Sequence, residues 1–257
     1  MMKLIFLGTC AGTEPMKDRK HSSFVLETAG RLYWFDAGEG CSYTAHNLGL
    51  DLLAVHKVVI SHTHRDHIGG LGNLLWNIRK LTYVKKRKQD SDTVEVYIPS
   101  MEVWSGLMTV LRNSEFGDDF DNHLQAFETQ DGILFDDGFL RVTAHHNHHI
   151  APKDGKWRSY SFLLECEGKR IVYSGDVKAY SDFDCLMGDG CDALILETGH
   201  FVIQDAWEYA QDKNIGKLYF THNGREILYA TEACQEKVRS LWGDRAVICY
   251  DGMTEEL

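Results

Sequence analysis

The sequence predicts a mixed α/β (α+β) fold in which two β-sheets pack face to face, with helices on their outer sides. Short apolar segments follow one another in hairpin-like order in the first half, whereas strands alternate with helical segments in the second half. Of the 257 residues, 44% are hydrophobic and only 3 are prolines, as expected of a globular protein. No repeat or Pro-rich linker interrupts the chain, so we expect residues 1–257 to form a single domain.

Strands are predicted where β-branched and aromatic residues cluster between turn residues. In chain order, these segments are residues 3–8, 22–28, 31–36, 56–61, 93–99, 139–146, 159–166, 169–175, 192–198, 217–222 and 246–252. The predicted helices are residues 39–48, 72–81, 101–111, 205–212 and 226–241. The charged run at residues 84–92 is expected to be a solvated loop, and the acidic stretch 115–123 another loop.

Net charge and cysteine content bear on which partners and which cellular compartment to expect. A net charge of -11 disfavours broad binding to a nucleic-acid backbone. The 7 cysteines are odd in number, scattered and without a CxxC pair, which is typical of reduced thiols in a cytoplasmic protein. The apolar residues 1–8 are expected to form the first strand rather than a signal peptide, and no stretch approaches the length of a membrane span.

The stretch "ISHTHRDHIGG", residues 60–70, carries the strongest chemical signal. His62 and His64 are two residues apart at a strand end and therefore point to the same side. The turn that follows is expected to bring Asp66 and His67 near them. Neutral imidazoles and a carboxylate suit zinc, and also iron or manganese, so this strand end is predicted to bind metal.

These four residues cannot all serve one tetrahedral ion and still leave an open position, so further ligands must come from elsewhere. Three later segments end predicted strands with suitable residues, and strand ends are where α/β scaffolds build rigid sites. The candidates are His145, His146, His148 and His149 in "TAHHNHHI", Asp176 in "YSGD" and His222 in "YFTHNG".

Together, this spaced set of motifs resembles the metallo-β-lactamase fold superfamily over nearly the whole chain. The segments "FLGTCAGTEPMKDRKHSSFVLE" and "WFDAGEG" resemble its ribonuclease Z branch, which includes tRNA 3′-processing endonucleases and related phosphodiesterases. The resemblance implies a four-layer αββα sandwich of two mixed sheets with a dinuclear metal site. Zinc is the expected metal, with manganese or iron as alternatives.

The resemblance also implies a ligand assignment. One metal would be held by His62, His64 and His149, and the other by Asp66, His67 and His222. Asp176 would bridge the two metals, and Asp36 would orient the metal-binding loop from behind. His149 fits the family pattern after Ala144 better than His148 does. His145 and His146 are expected to be surface residues or to line the cleft.

In this family the metals share a hydroxide that attacks a phosphorus or carbonyl centre. Asp66 would orient or deprotonate this nucleophile while ligating one metal. The segment "LILETGHF" would place Glu197 close to the metals. His200, in the same segment, is a candidate for protonating the leaving group.

Two departures from the ribonuclease Z pattern bear on the substrate. The chain lacks a His-Ser-Thr motif before the final ligand histidine, and it lacks the long basic arm that grips tRNA. We therefore expect a phosphodiesterase that acts on a small or cyclic phosphodiester, with no membrane partner. The alternatives are a tRNA 3′-endonuclease, a carbonyl-centre hydrolase of lactones or thioesters, and a non-enzymatic metal-binding protein. Because dimers are common in this branch, a homodimer is one expected state.

Overall fold

The structure is a computed structural model that describes residues 2–85, 90–91 and 93–257. The chain divides into two compact units. Unit 1 comprises Met1–Gly8, Lys20–Thr129 and Asp251–Leu257, and unit 2 comprises Thr9–Arg19 and Gln130–Tyr250. Each unit is built around one seven-stranded sheet.

The described residues form strands β1–β14 and helices α1–α8. The strands are, in order, Lys3–Gly8, Ser23–Thr28, Arg31–Phe35, Val55–Val59, Val94–Ile98, Leu124–Glu128, Gly132–Asp136, Arg141–His146, Tyr160–Cys166, Lys169–Tyr173, Cys191–Thr198, Ile215–Asn223, Ala246–Ile248 and Thr254–Glu256. The helices are Cys41–Asn47, Arg65–Ile68, Leu71–Lys85, Met101–Arg112, Asp184–Met187, Ile203–Ala210, Arg225–Tyr229 and Thr231–Trp242. Short 3₁₀ helices lie at Leu52–Ala54, Gly117–Asn122, Tyr180–Phe183 and Gly243–Arg245.

The sheet of unit 1 has the strand order β14-β1-β2-β3-β4-β5-β6. Strands β1, β2 and β3 pair antiparallel with one another in that order, and β3 to β6 pair parallel. Trp34 and Val58 are completely buried in a core that also takes Leu74 and Leu75 from α3. Parallel strands are buried on both faces, which explains the nearly continuous apolar run before the histidine motif.

The sheet of unit 2 has the strand order β13-β12-β11-β10-β9-β8-β7. Strands β10 to β13 pair parallel, while β7 to β10 pair antiparallel. Leu196 and Phe220 lie in a core with Ile203 of α6 and Trp242 of α8. The carboxyl ends of β10, β11 and β12 meet at one edge, so the residues that follow these strands become neighbours.

The predicted elements are mostly found, with differences at their ends. Helix α3 extends to Lys85, so the start of the run predicted as a loop is helical, and residues 86–89 and 92 of that run lie outside the described residues. The predicted helix 226–241 is broken at Ala230 into α7 and α8. Part of the expected acidic loop is the 3₁₀ helix Gly117–Asn122. Strands β6, β7 and β14 were not predicted, because they are short and mostly exposed or half-buried, so burial imposes no clear apolar pattern on their sequences.

Two mixed seven-stranded sheets flanked by helices confirm the predicted fold class. The single-domain expectation stays a prediction. Among the described residues, no helix is both long and apolar enough to cross a membrane.

Candidate metal-binding residues

In unit 1, the histidine motif occupies the loop after β4 and the short helix α2. His62 and His67 are completely buried. Nε2 of His62 lies 3.0 Å from Nδ1 of His64, and Nε2 of His67 lies 3.4 Å from a carboxylate oxygen of Asp66. The four predicted residues of this motif therefore form two pairs, each with its donor atoms close enough to share a cation.

Asp36 lies behind this motif, at the end of β3, and is completely buried. Its Oδ1 accepts a hydrogen bond from the Ser61 amide, and its Oδ2 accepts one from the Ser61 hydroxyl, both at 2.7 Å. Oδ2 also accepts a hydrogen bond from Nδ1 of His67 at 2.8 Å. With the proton on Nδ1, His67 carries its lone pair on Nε2, which is the tautomer a metal ligand needs.

Two glycines allow the backbones around this motif to approach closely. A Cβ atom at Gly38 would lie 2.5 Å from the carbonyl oxygen of Asp66, and one at Gly70 would lie 2.3 Å from the carbonyl oxygen of Gly38. The amide of Ala37 donates to the carbonyl of His67 across the same contact, at 2.7 Å. The loop after β3 thus holds the loop of the histidine motif through its backbone as well as through Asp36.

In unit 2, the carboxylate of Asp176 is the meeting point of the predicted residues. Its Oδ2 lies 3.2 Å from Nε2 of His222, 3.8 Å from Nε2 of His149 and 4.0 Å from Nδ1 of His200. Asp176 and His222 are almost fully buried. One carboxylate oxygen therefore faces several imidazoles, which is an arrangement suited to metal ligands.

The four histidines after β8 separate in the structure. His149 is largely buried against Asp176, with 11% of its side chain exposed. His148 has 56% of its side chain exposed, and its Nδ1 is bonded to Asp182 at 2.9 Å. His145 and His146 lie instead beside Asp131. The structure thus brings His149, and not His148, to the bridging candidate.

Glu197 is completely buried at the end of β11 and holds the histidines on either side of it. Its carboxylate accepts hydrogen bonds from the amides of Val177, Gly199 and His200, and from Nδ1 of His200 at 3.0 Å. It also lies 3.5 Å from Nδ1 of His222. Burial raises the pKa of Glu197, but the hydrogen bond from His200 and the nearby imidazole of His222 outweigh it, so the pKa lies below its ordinary value. The same bond to Glu197 raises the pKa of His200.

Sequence reasoning did not single out three residues that shape these groups. Ser61 links Asp36 to the histidine motif, and Asp182 bonds Nδ1 of His148. Gly199 is required because a Cβ there would lie 2.3 Å from Nδ1 of His222. The sequence shows that Gly199 follows a predicted strand in "ETGHF", but it does not show that His222 approaches from the neighbouring strand.

The donor atoms in each unit fit divalent metal ions. They are imidazole nitrogens and carboxylate oxygens, the set taken by zinc, manganese and iron. His67 is backed by the carboxylate of Asp36, and His222 lies beside that of Glu197. Carboxylate–histidine pairs of this kind orient the imidazoles of metal sites.

Comparison with known proteins identifies the family of the chain. Residues 2–196 match the family model described as "Anti-Pycsar protein Apyc1". The chain belongs to the Anti-Pycsar protein Apyc1 family. It is also 32% identical over 175 residues to a ribonuclease BN of Salmonella gallinarum (strain 287/91 / NCTC 13346), a match that covers 66% of the chain and 50% of the relative. This member of the Apyc1 family therefore spans about half the length of the curated relatives it matches.

Solved structures share the fold of this Apyc1 family member. Human tRNase Z, short form, has a TM-score of 0.73 at 23% identity, covering 99% of this chain and 98% of that one. The metallo-β-lactamase fold protein YhfI from Bacillus subtilis has a TM-score of 0.71 at 18% identity over 100% of both chains. A diphosphatase from the PhnP family has a TM-score of 0.69 at 16% identity, covering 100% of this chain and 98% of that one. These structures confirm the predicted metallo-β-lactamase-like fold.

Proposed function

We propose that the chain is a dinuclear metal-dependent hydrolase that cleaves a small or cyclic phosphodiester. The observation that carries the proposal is the position of Asp176, whose Oδ2 lies 3.2 Å from Nε2 of His222 and 3.8 Å from Nε2 of His149. A carboxylate that bridges two metals needs one such ligand on each side.

The remaining ligands are proposed from the two pairs in unit 1. His62 and His64 would join His149 at one metal, and Asp66 and His67 would join His222 at the other. In support, the donor atoms are 3.0 Å apart in the pair His62–His64 and 3.4 Å apart in the pair Asp66–His67. Held by these residues, two divalent cations would supply Lewis-acid stabilisation of a phosphoryl group and would lower the pKa of a bound water.

The chain's own residues then handle orientation and protons. His200 has 43% of its side chain exposed and donates from Nδ1 to the buried Glu197, which leaves Nε2 as the atom that presents a proton to a leaving group. Glu197 favours the charged imidazolium, so the ring carries this proton at higher pH than an isolated histidine would. Asp66, beside His67, would orient the attacking water.

A small phosphodiester is favoured over RNA by the acidic net charge of -11 and by the missing basic arm. A tRNA 3′-endonuclease remains the second candidate, because ribonuclease BN is 32% identical over the matched 175 residues. A lactone or thioester hydrolase is the third. The cytoplasmic location and the homodimer stay predictions.

A substrate panel tests this proposal. The purified protein, with its metal content measured, is assayed against cyclic mononucleotides, bis(p-nitrophenyl) phosphate, a pre-tRNA, a lactone and a thioester. We expect about two metal equivalents per chain and turnover of the small phosphodiesters. The variant Asp176→Asn is expected to lose bound metal and turnover together. Preferred cleavage of the pre-tRNA would support the second candidate instead, and turnover of the lactone alone would overturn phosphodiester chemistry.

A further inference from the structure

A second group of metal-binding side chains lies in unit 2 and shares no residue with the proposed dinuclear centre. Asp131 immediately precedes β7, and His145 and His146 end β8. The antiparallel register pairs Gly132 with Ala144, so the next step along the two strands brings Asp131 opposite His145. Strand pairing therefore brings a carboxylate to two imidazoles that are adjacent in sequence.

Each oxygen of the Asp131 carboxylate faces a different histidine. Oδ2 lies 2.6 Å from Nδ1 of His146, and Oδ1 lies 4.0 Å from Nδ1 of His145. The Oδ1 atom also accepts a hydrogen bond from the His146 amide at 2.6 Å, which fixes the carboxylate relative to the strand. The two imidazole rings are 4.6 Å apart at 34°. An ion pair between Asp131 and His146 would account for the position of the His146 ring, but not for that of the His145 ring beside it.

Trp157 packs against this group and restricts its movement. Its ring stacks on His146 with centroids 4.0 Å apart and an angle of 12° between the planes. The other side of the group is open to solvent, since 36% of the His145 side chain and 43% of the Asp131 side chain are exposed. The group is thus held in place by the protein yet accessible to a solvated ion.

We propose that Asp131, His145 and His146 form an accessory site for a borderline divalent transition-metal ion such as Zn²⁺. Each residue offers a ligand atom, and these atoms all lie within 4.8 Å of one another. Two imidazoles and one carboxylate are a zinc-type ligand set, with water completing the coordination from the exposed side. When the ion binds Nδ1 of His146, the proton between that nitrogen and Asp131 moves to Nε2 of the same ring, so the neutral imidazole and the carboxylate serve as ligands.

The accessory site binds more weakly than a buried centre. Only three protein ligands are present, and the carboxylate and both rings keep solvent contact. We therefore expect metal to occupy the accessory site only when it is added beyond the amount that the purified protein retains. Because Trp157 stacks on His146, filling the site with Ni²⁺ or Cu²⁺ quenches the fluorescence of this tryptophan.

The test is a metal titration of the protein as purified, with its retained metal counted first. The titration uses a Cys185→Ser background, because Cys185 is the one exposed thiol among the 7 cysteines, all of which lie in the described part of the chain. Calorimetry with Zn²⁺ is expected to show one further equivalent. Fluorescence with Ni²⁺ is expected to show quenching that disappears in Trp157→Phe.

Three variants and a matched control decide the assignment. Asp131→Asn, His145→Gln and His146→Gln are each expected to weaken the extra equivalent at least about tenfold, the lower end of the loss caused by altering a metal site's surroundings. His46→Gln, an exposed histidine on α1, is expected to leave it unchanged. Thermal melting confirms that each variant folds.

No extra equivalent in the Cys185→Ser protein, or one that persists in all three variants, would overturn the accessory site. Neither result bears on hydrolysis, because substrate turnover is not measured. Failure of this site is therefore distinguishable from failure of the proposed function.

Discussion

Asp36 and His67 are hydrogen-bonded at 2.8 Å with both side chains completely buried. Asp36 also bonds both the amide and the hydroxyl of Ser61, so one carboxylate fixes the start and the end of the histidine motif. This side chain is 31 residues from His67 in sequence, and the parallel pairing of β3 with β4 brings the two together.

Asp36→Asn is expected to lower metal retention because an amide cannot accept all three of these hydrogen bonds. Disturbing such a partner typically costs about 10–100-fold in metal affinity. Leaving buried donors unsatisfied also lowers the free energy of unfolding by about 1–3 kcal/mol. Metal analysis and chemical denaturation measure the two effects. Full metal retention with normal stability would contradict the orienting role.

His149→Gln and His148→Gln form a matched pair at adjacent positions. The His149 variant is expected to lose metal and more than about 100-fold of its activity, a larger loss than a change outside the ligand set would give. The His148 variant keeps both, because His148 bonds Asp182 and is exposed. Metal content and turnover under identical conditions compare them. The reverse pattern would assign the ligand to His148.

Glu197→Gln is expected to change the pH dependence of turnover. Protonated His200 is the proposed acid, so activity falls as pH rises through its pKa. The hydrogen bond to Glu197 raises that pKa, and its removal therefore moves the alkaline limb of the profile to lower pH. The comparison uses protein whose metal content matches the parent, with His148→Gln as the control. An unshifted alkaline limb would exclude His200 as the acid.

Gly199→Ala is expected to displace His222, because the added Cβ would lie 2.3 Å from Nδ1 of that ring. Metal retention and activity should fall together. Gly106→Ala in α4 is the control: no atom lies within 4 Å of its Cβ position, and alanine stabilises a helix interior by about 0.5–1 kcal/mol. Equal behaviour of the two variants would argue against tight packing at His222.

The lowered pKa of Glu14 predicts that part of the stability of the folded state is lost in acid. Hydrogen bonds from Tyr229 and Arg225 lower the pKa of Glu14 from 4.5 to about 2. A lowered carboxyl pKa stabilises the folded state above pH 4.5, and this contribution is lost as pH falls toward 2. The melting temperature of Glu14→Gln should therefore be below that of the parent at pH 7, and the gap should shrink under acid conditions. A gap that is constant with pH would contradict this linkage.

Residue chemistry and spacing were enough to predict the fold class and to single out the candidate metal ligands. The motif "HxHxDH" after an apolar strand identifies its own donors, because three imidazoles and a carboxylate follow one another within six residues. The strand-end positions of Asp176 and His222 were equally visible, since buried parallel strands have nearly continuous apolar sequences.

Tertiary structure decided what depends on contacts between distant segments. His148 and His149 have the same side chain and adjacent positions, yet the fold gives them different partners: His148 bonds Asp182, 34 residues away in sequence, whereas His149 lies against Asp176. The short strand β14 exists because it pairs with β1, not because of its own sequence "TEE". Local sequence specifies which atoms can bind a metal, but their convergence requires strand pairing and buried hydrogen bonds that only the folded chain provides.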